Sequence, residues 1–256
     1  MKIGFSSLSL FMKPLEEMLK IAIKDEFDLI EILCEGPYWP RNLLKKENKK
    51  YLEIFDSYDI EVMLHSPTID LNPASMNEGI RKETKKQTME ALDLANYIGA
   101  VAITTHPGIV HRQEERIRNL AIDYSIETLK DCQKYSEELG VILSIENMPN
   151  KINYLANSPE EHRKIVNANR SYATIDWGHA NTYKNCREFL NISKISYFHL
   201  NDNEGLKDQH LPLGEGTADF SKEFLKNVNK GIIELNSYEN VLKGKEFLIK
   251  KISKSK

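Results

Sequence analysis

Apolar residues along this chain fall into short β-rich runs, and these alternate with longer stretches in which apolar positions recur at helical spacing. Runs at residues 2–7, 29–35, 62–67, 101–108, 141–149, 172–179, 195–202 and 231–237 read as strands. Several are nearly continuous apolar segments, such as Val101-Ala102-Ile103-Thr104 and Val141-Ile142-Leu143-Ser144-Ile145. Parallel strands covered on both faces have that character. Residues 14–24, 41–58, 77–98, 112–139 and 239–252 carry helical spacing. Pro14 suits a first helical turn. Gly99 and Gly140 follow two of the helical stretches, where a left-handed residue ends a helix. Ser158-Pro159-Glu160-Glu161 is a helix-start signature. No linker, repeat or low-complexity stretch interrupts the alternation. Eight βα units across residues 1–256 predict an α/β fold, a single (β/α)₈ TIM barrel. An open doubly wound sheet fits less well, because the count closes at eight and no glycine-rich nucleotide loop follows a strand.

In such barrels the active site lies at the C-terminal ends of the strands. Here those ends read Leu64-His65-Ser66-Pro67, Thr105-His106-Pro107-Gly108, Ile145-Glu146-Asn147, Ile175-Asp176-Trp177-Gly178-His179, Phe198-His199-Leu200-Asn201-Asp202 and Ile233-Glu234-Leu235. The seventh continues to Asp208-Gln209-His210. A lone histidine or acid at a strand end is usually a hydrogen-bonded structural group. Five of the seven histidines in these positions, among carboxylates that leave an apolar core where an unpaired charge is costly, point to metal. The candidate ligands are His65, His106, Glu146, Asp176, His179, His199, Asp208, His210 and Glu234. Imidazole and carboxylate without thiolate suit Zn²⁺, with Mn²⁺ or Co²⁺ as alternatives. Nine donors exceed one coordination sphere, and a bridging carboxylate would let them hold three ions.

The remaining composition narrows the setting. A net charge of −3 gives no global attraction to a polyanion. Basic clusters at residues 41–50, 81–86 and 243–256 are read chiefly as solvated helix faces, the first two near the top face. Three cysteines form no CxxC pair, and no signal peptide or membrane span is visible, so a cytoplasmic location is expected. No membrane contact and no obligate protein partner are predicted. Tyr38, Trp39, Asn72, Asn147 and Asn201 are candidate substrate-binding residues on the rim, with Asn147 and Asn201 also placed to support the ligands. Glu35 is a candidate contact of the same loop as Tyr38. His111 reads as a surface or supporting residue and His162 as a solvated helix residue.

Taken in order, His-Ser-Pro, His-Pro-Gly, Ile-Glu-Asn, Asp-x-x-His, His-Leu-Asn-Asp and Asp-x-His-x-x-Leu-Gly-Glu-Gly resemble the motifs of the xylose isomerase-like barrels. That superfamily includes endonuclease IV-type AP endonucleases and sugar isomerases or epimerases, and the resemblance covers nearly the whole chain. By similarity to endonuclease IV, His65, His106 and Glu146 would hold one zinc. Glu146 would bridge to a second, completed by Asp176, His199 and Glu234. His179, Asp208 and His210 would hold the third. The sequence departs from the endonucleases at Thr68, where they carry an aromatic that helps open the duplex. The stretch from Leu213 to Phe220 looks more like the isomerase branch.

Two activities follow from the resemblance. The first is zinc-dependent phosphodiester hydrolysis at abasic sites in DNA, with Glu146 and Glu234 as catalytic carboxylates. The second is isomerisation or epimerisation of a small sugar or sugar phosphate, with one metal and with Glu146 and Glu234 as the acid/base pair. A non-catalytic metal-dependent binding module is a third class.

Overall fold

In a computed structural model, which describes residues 1–112 and 114–253, the predicted strands pair in parallel and in sequence order, and the eighth returns to the first. They are β1 (Lys2–Ser6), β2 (Leu29–Leu33), β3 (Glu61–His65), β4 (Ala102–Thr105), β5 (Ile142–Glu146), β6 (Tyr172–Asp176), β7 (Ile195–Leu200) and β8 (Lys230–Ile233). The fold is a single closed (β/α)₈ barrel. Helices α1 (Leu15–Lys24), α4 (Glu78–Ile98), α5 (Glu115–Leu139), α6 (Pro159–Asn169) and α9 (Tyr238–Ser253) cover the outside. Between them lie α2 (Pro40–Leu43), α3 (Lys49–Leu52), α7 (Trp177–Asn181) and α8 (Lys222–Leu225), each five residues or shorter. Gln113 and residues 254–256, which belong to the expected helix at 112–139 and the basic tail at 243–256, lie outside the described residues.

The helix boundaries follow their caps. Gly99 and Gly140 both stand at φ 70°, the left-handed conformation expected of them. Ser158 Oγ accepts from Glu161 N at 3.3 Å and starts α6. The helix expected over 41–58 is instead two short helices followed by a 3₁₀ turn at Glu53–Ser57. Its middle, Lys45-Lys46-Glu47-Asn48-Lys49-Lys50, has no apolar residue to hold a helix against the barrel, and Asn48 Nδ2 bonds the Asn42 carbonyl at 2.8 Å to close a turn there.

Strand alternation sorts the core into two. Ile30, Ile32, Leu64, Ile103, Leu143, Ile145, Ile175, Phe198 and Ile233 belong to the large cluster beneath the helices. Leu29, Met63, Ala102, Tyr197 and Ile232, with Ile142 against them, form a separate cluster that plugs the barrel. Two residues further along the same strand faces come Glu31, His65, Thr104, Ser144 and His199, and then Glu146. The inner face is therefore apolar at the floor, polar above it, and ends in ligand-type side chains at the rim. That order places the site.

Candidate metal centre

His65 and Glu146 are the last residues of β3 and β5. His106 lies one residue beyond β4, and Asp176 ends β6. The strand expected to run to residue 179 stops at Asp176, because Asp176 caps a helix. Its Oδ1 accepts from His179 N at 2.6 Å, so the chain turns at once into α7 and swings His179 back over the rim. His199 sits inside β7, and Glu234 follows β8. Asp208 and His210 come from the loop after β7, with His210 at φ 48°.

Among the described residues, three groups of donor atoms lie within 4.8 Å of one another: His65, His106 and Glu146; Glu146, Asp176, His199 and Glu234; and His179, Asp208 and His210. All nine expected ligands are in these groups, and Glu146 belongs to two. Its Oε2 has His106 Nε2 at 3.1 Å and His65 Nε2 at 3.5 Å. Its Oε1 has His199 Nδ1 at 3.0 Å. Glu234 Oε2 reaches the same Nδ1 at 3.3 Å. Asp208 Oδ2 stands 3.3 Å from both His179 Nε2 and His210 Nε2.

Three of the other ring nitrogens are anchored by the backbone. His65 Nδ1 donates to the Ser66 carbonyl at 3.0 Å, His179 Nδ1 to the Asn147 carbonyl at 2.8 Å and His210 Nδ1 to the Glu234 carbonyl at 2.8 Å. A carbonyl only accepts, so each Nδ1 carries the proton and each Nε2 is left to face its group. Ligating histidines are usually anchored in this way. Glu146 Oε2 and Asp208 Oδ1 are buried without a hydrogen-bond partner, which is costly unless something else satisfies them. Donor type, spacing and these orphaned oxygens all fit divalent ions.

Without ions, protons hold the cluster together. Burial favours a neutral His65, but the close approach of Glu146 and the charges of Glu31, Glu146 and Glu234 overcome it and raise the pKa to about 9. Burial likewise opposes charge on His210, and Asp208 and Glu234 raise it to about 9. His199 and His179 are driven well above the imidazole range against the same penalty, the first by Glu31 and Glu234, the second by Asp176 and Asp208. Despite burial, Glu146 is held well below the carboxylate range by His199, His106 and His65, and Asp208 by His179 and His210. Asp176 goes the other way. Burial raises it to about 7, helped by the Glu146, Glu234 and Asp208 charges and opposed by His179. Divalent ions would take the place of these protons.

The residues expected to bind substrate fall in several settings. Asn147 exchanges two bonds with the Asp176 backbone, at 2.9 and 2.8 Å, and Asn201 Nδ2 donates to both Asp176 oxygens at 3.0 and 3.2 Å. Both therefore position Asp176. Asn72 lines a cleft of about 570 Å³ beside His106, together with Ile69, His111, Met148 and Tyr154. Its amide is committed, since Nδ2 donates to the Ile109 carbonyl and Oδ1 accepts from Ala74 N and Ile109 N. Tyr38 is buried, its hydroxyl donates to the Lys13 carbonyl, and its ring packs edge-on against Phe11. Trp39 Nε1 donates to Gln87 Oε1 at 2.7 Å, beneath the Arg41 guanidinium. These contacts make both aromatics packing residues. Glu35 Oε1 accepts from Thr68 N and Ile69 N at 2.5 and 2.9 Å, pinning the loop after β3.

One further reading changes. His162 is fully buried, not solvated: its Nε2 bonds the Ile145 carbonyl at 2.8 Å, and burial lowers its pKa to about 4. The basic clusters near the top are partly neutralised, Arg41 by Glu83 and Glu90, Lys82 by Glu78 and Lys85 by Asp131. Glu31 was not singled out by sequence. It is a wholly buried acid in β2 whose Oε1 lies 3.0 Å from His199 Nε2. Its signal was an acid inside the apolar run Leu29-Ile30-Glu31-Ile32-Leu33.

A closed (β/α)₈ barrel with histidines and carboxylates gathered on its C-terminal rim defines a superfamily of enzymes. The chain belongs to the xylose isomerase-like TIM barrel family, whose model matches residues 19–248. Uncharacterized protein MJ1311 of Methanocaldococcus jannaschii is 34% identical, with 97% of this chain and 88% of that protein covered. The crystal structure of a D-tagatose 3-epimerase-like protein is 32% identical and superposes with a TM-score of 0.87, covering 99% of this chain and 97% of that one. Probable endonuclease 4 of Aquifex aeolicus is 24% identical, covering 82% and 75%. No helix among the described residues is long and apolar enough to cross a membrane.

Proposed function

We propose that this protein is a trinuclear, zinc-dependent phosphodiester hydrolase that cuts DNA at abasic sites. The observation that carries the reading is the third donor group. His179, Asp208 and His210 form a group that shares no residue with the other two, with their rings anchored by backbone carbonyls so that both Nε2 atoms face one carboxylate. A single-metal isomerase needs only the group around Glu146, Asp176, His199 and Glu234. Ions in the three groups supply Lewis-acid charge for a phosphoryl oxygen and a water acidic enough to ionise near neutral pH. Glu146 stays ionised at the centre and keeps two groups in register. Glu234, 14% exposed at its side chain, is the carboxylate within reach of both solvent and His199, and it takes the proton of the attacking water. The cleft beside His106 receives the sugar that has lost its base. Lys151 and Lys207, exposed on the loops after β5 and β7, are cations available to flanking phosphates.

A second reading, epimerisation of a small ketose, is favoured by the 32% identity to the D-tagatose 3-epimerase-like structure. There Glu146 and Glu234 form the acid/base pair around one ion, and His65, His106 and His179 bind hydroxyls. Protein loaded with Zn²⁺, Mn²⁺ or Co²⁺ is incubated with a duplex carrying a tetrahydrofuran abasic analogue, and separately with a ketose pair. Strand cleavage at the analogue supports the hydrolase. An intact duplex together with ketose interconversion replaces it with the epimerase.

A further inference from the structure

The inner wall of the barrel holds a buried carboxylate that neither reading of the site uses. Glu31 lies in the middle of β2 and is wholly buried. Its Oε1 lies 3.0 Å from His199 Nε2 and accepts from the Tyr197 hydroxyl at 2.8 Å. The Tyr197 hydroxyl also meets Thr104 Oγ1, which meets Thr174 Oγ1. The chain of hydrogen bonds ends there, above the apolar floor of Leu29, Met63, Ala102 and Ile232, which belong to one cluster with the Tyr197 ring. It reaches no solvent at that end, so it is a fixed support, not a proton path.

We infer that Glu31 is the positioning residue of the central metal group, fixing His199 with its proton on Nε2 and Nδ1 turned to the ion. The other anchored histidines of the cluster, His65, His179 and His210, lean on backbone carbonyls and present Nε2. His199 is reversed. Its Nδ1 faces Glu146 and Glu234, and among the described residues no backbone carbonyl is paired with its Nε2. Glu31, reaching it across the lumen from β2, holds that nitrogen instead, and a carboxylate there also makes the ring a better donor to a cation. Tyr197 and the threonines hold the carboxylate at the required depth. The inference rests on these residues holding ions, and it applies equally to the hydrolase and to the epimerase.

The test compares wild type with Glu31→Gln, both stripped by chelator and titrated with Zn²⁺ against a competing indicator. The amide is nearly isosteric but lacks the charge, and it can turn an N–H toward Nε2. One ion is expected to bind roughly 10–100-fold more weakly, while the remaining ions keep their affinity and the metal-free melting temperature stays within a few degrees. Adding Glu31→Gln to His199→Ala should then cost nothing further in zinc affinity. Should the variant fail to fold, the nitrogen NMR spectrum of zinc-loaded wild type decides: a proton on His199 Nε2 supports the inference, and a proton on Nδ1 overturns it. Unchanged affinity for every ion in a folded Glu31→Gln also overturns it and leaves the metal reading standing. A wild-type chain that takes up no ion removes both.

Discussion

Replacing Glu146 with glutamine is the sharpest perturbation of this site, because the magnitude follows from how the three groups share it. Glutamine keeps the shape of the side chain and removes its charge. Two of the three donor groups use Glu146, and the third is complete without it. The variant should therefore lose two ions and keep the one held by His179, Asp208 and His210. The double variant His179→Ala with His210→Ala should do the opposite, losing one ion and keeping two. An ion that stabilises charge on a phosphoryl oxygen contributes about 3 kcal/mol or more, which is roughly a hundredfold in rate. The double variant is then expected to cleave the abasic duplex at least about 100-fold more slowly, and Glu146→Gln at least about 10⁴-fold more slowly. Metal content is read by elemental mass spectrometry after dialysis, and cleavage by single-turnover nicking. Circular dichroism and melting before metal is added check that each variant folds. A folded Glu146→Gln protein that still carries two or more ions would show that the carboxylate is not shared. Near wild-type turnover would mean the reaction lies elsewhere.

Other outcomes follow from the same coordinates. In metal-free protein, His65 and His210 have pKa values raised to about 9 and Asp176 one raised to about 7; protons on these groups favour the fold, so the melting temperature should fall as pH rises from 6.5 to 9, and a rise would contradict the proton network. Zinc-loaded protein should gain stability relative to the metal-free form over the same interval, because fewer protons compete for the ligands. His162→Ala should destabilise the fold by about 2–4 kcal/mol in denaturant melts, through a lost buried ring and a lost hydrogen bond to the Ile145 carbonyl, yet leave the zinc count unchanged. Gly178→Ala should lower both stability and zinc content: the added Cβ would stand 1.7 Å from Asn201 Oδ1, and Asn201 is the side chain that holds Asp176.

The fold was legible because outward strand positions are mostly apolar, and the nine candidate ligands because most stand at or just past a strand end, with His199 inside β7 and Asp208 and His210 in the loop that follows it. What escaped the sequence has physical causes. His162 was read as solvated because it lies on a helix, although Ile165, Val166 and Asn169 follow at three, four and seven residues and share its buried face. Glu31 was hidden inside a run counted as apolar. The alternation within that run puts Leu29 and Glu31 on the lumen side, so a strict reading by parity would have marked Glu31 as an acid needing a partner. Tyr38 and Trp39 lie on the correct loop, but loop position does not fix side-chain direction. Both find hydrogen-bond partners away from the donor groups, in Lys13 and Gln87.

The vertical order of the barrel explains why such a charged rim can be kept without loss of the fold. Packing is concentrated in the floor cluster and in the layer beneath the helices, and neither includes a candidate ligand. The ligands are oriented from below and from the side: by Glu31 on His199, by Asn147 and Asn201 on Asp176, and by backbone carbonyls on His65, His179 and His210. Their geometry is therefore set in the metal-free fold, and binding ions there would cost little further ordering. That arrangement separates two kinds of substitution. Changing a ligand should empty its group and cost the metal-free chain only that ligand's proton-linked stability, whereas deleting a support such as Asn201, instead of replacing it with a side chain of the same shape, should loosen both. A ligand variant that melts as early as a support variant would mean that the rim, and not the floor, carries the fold.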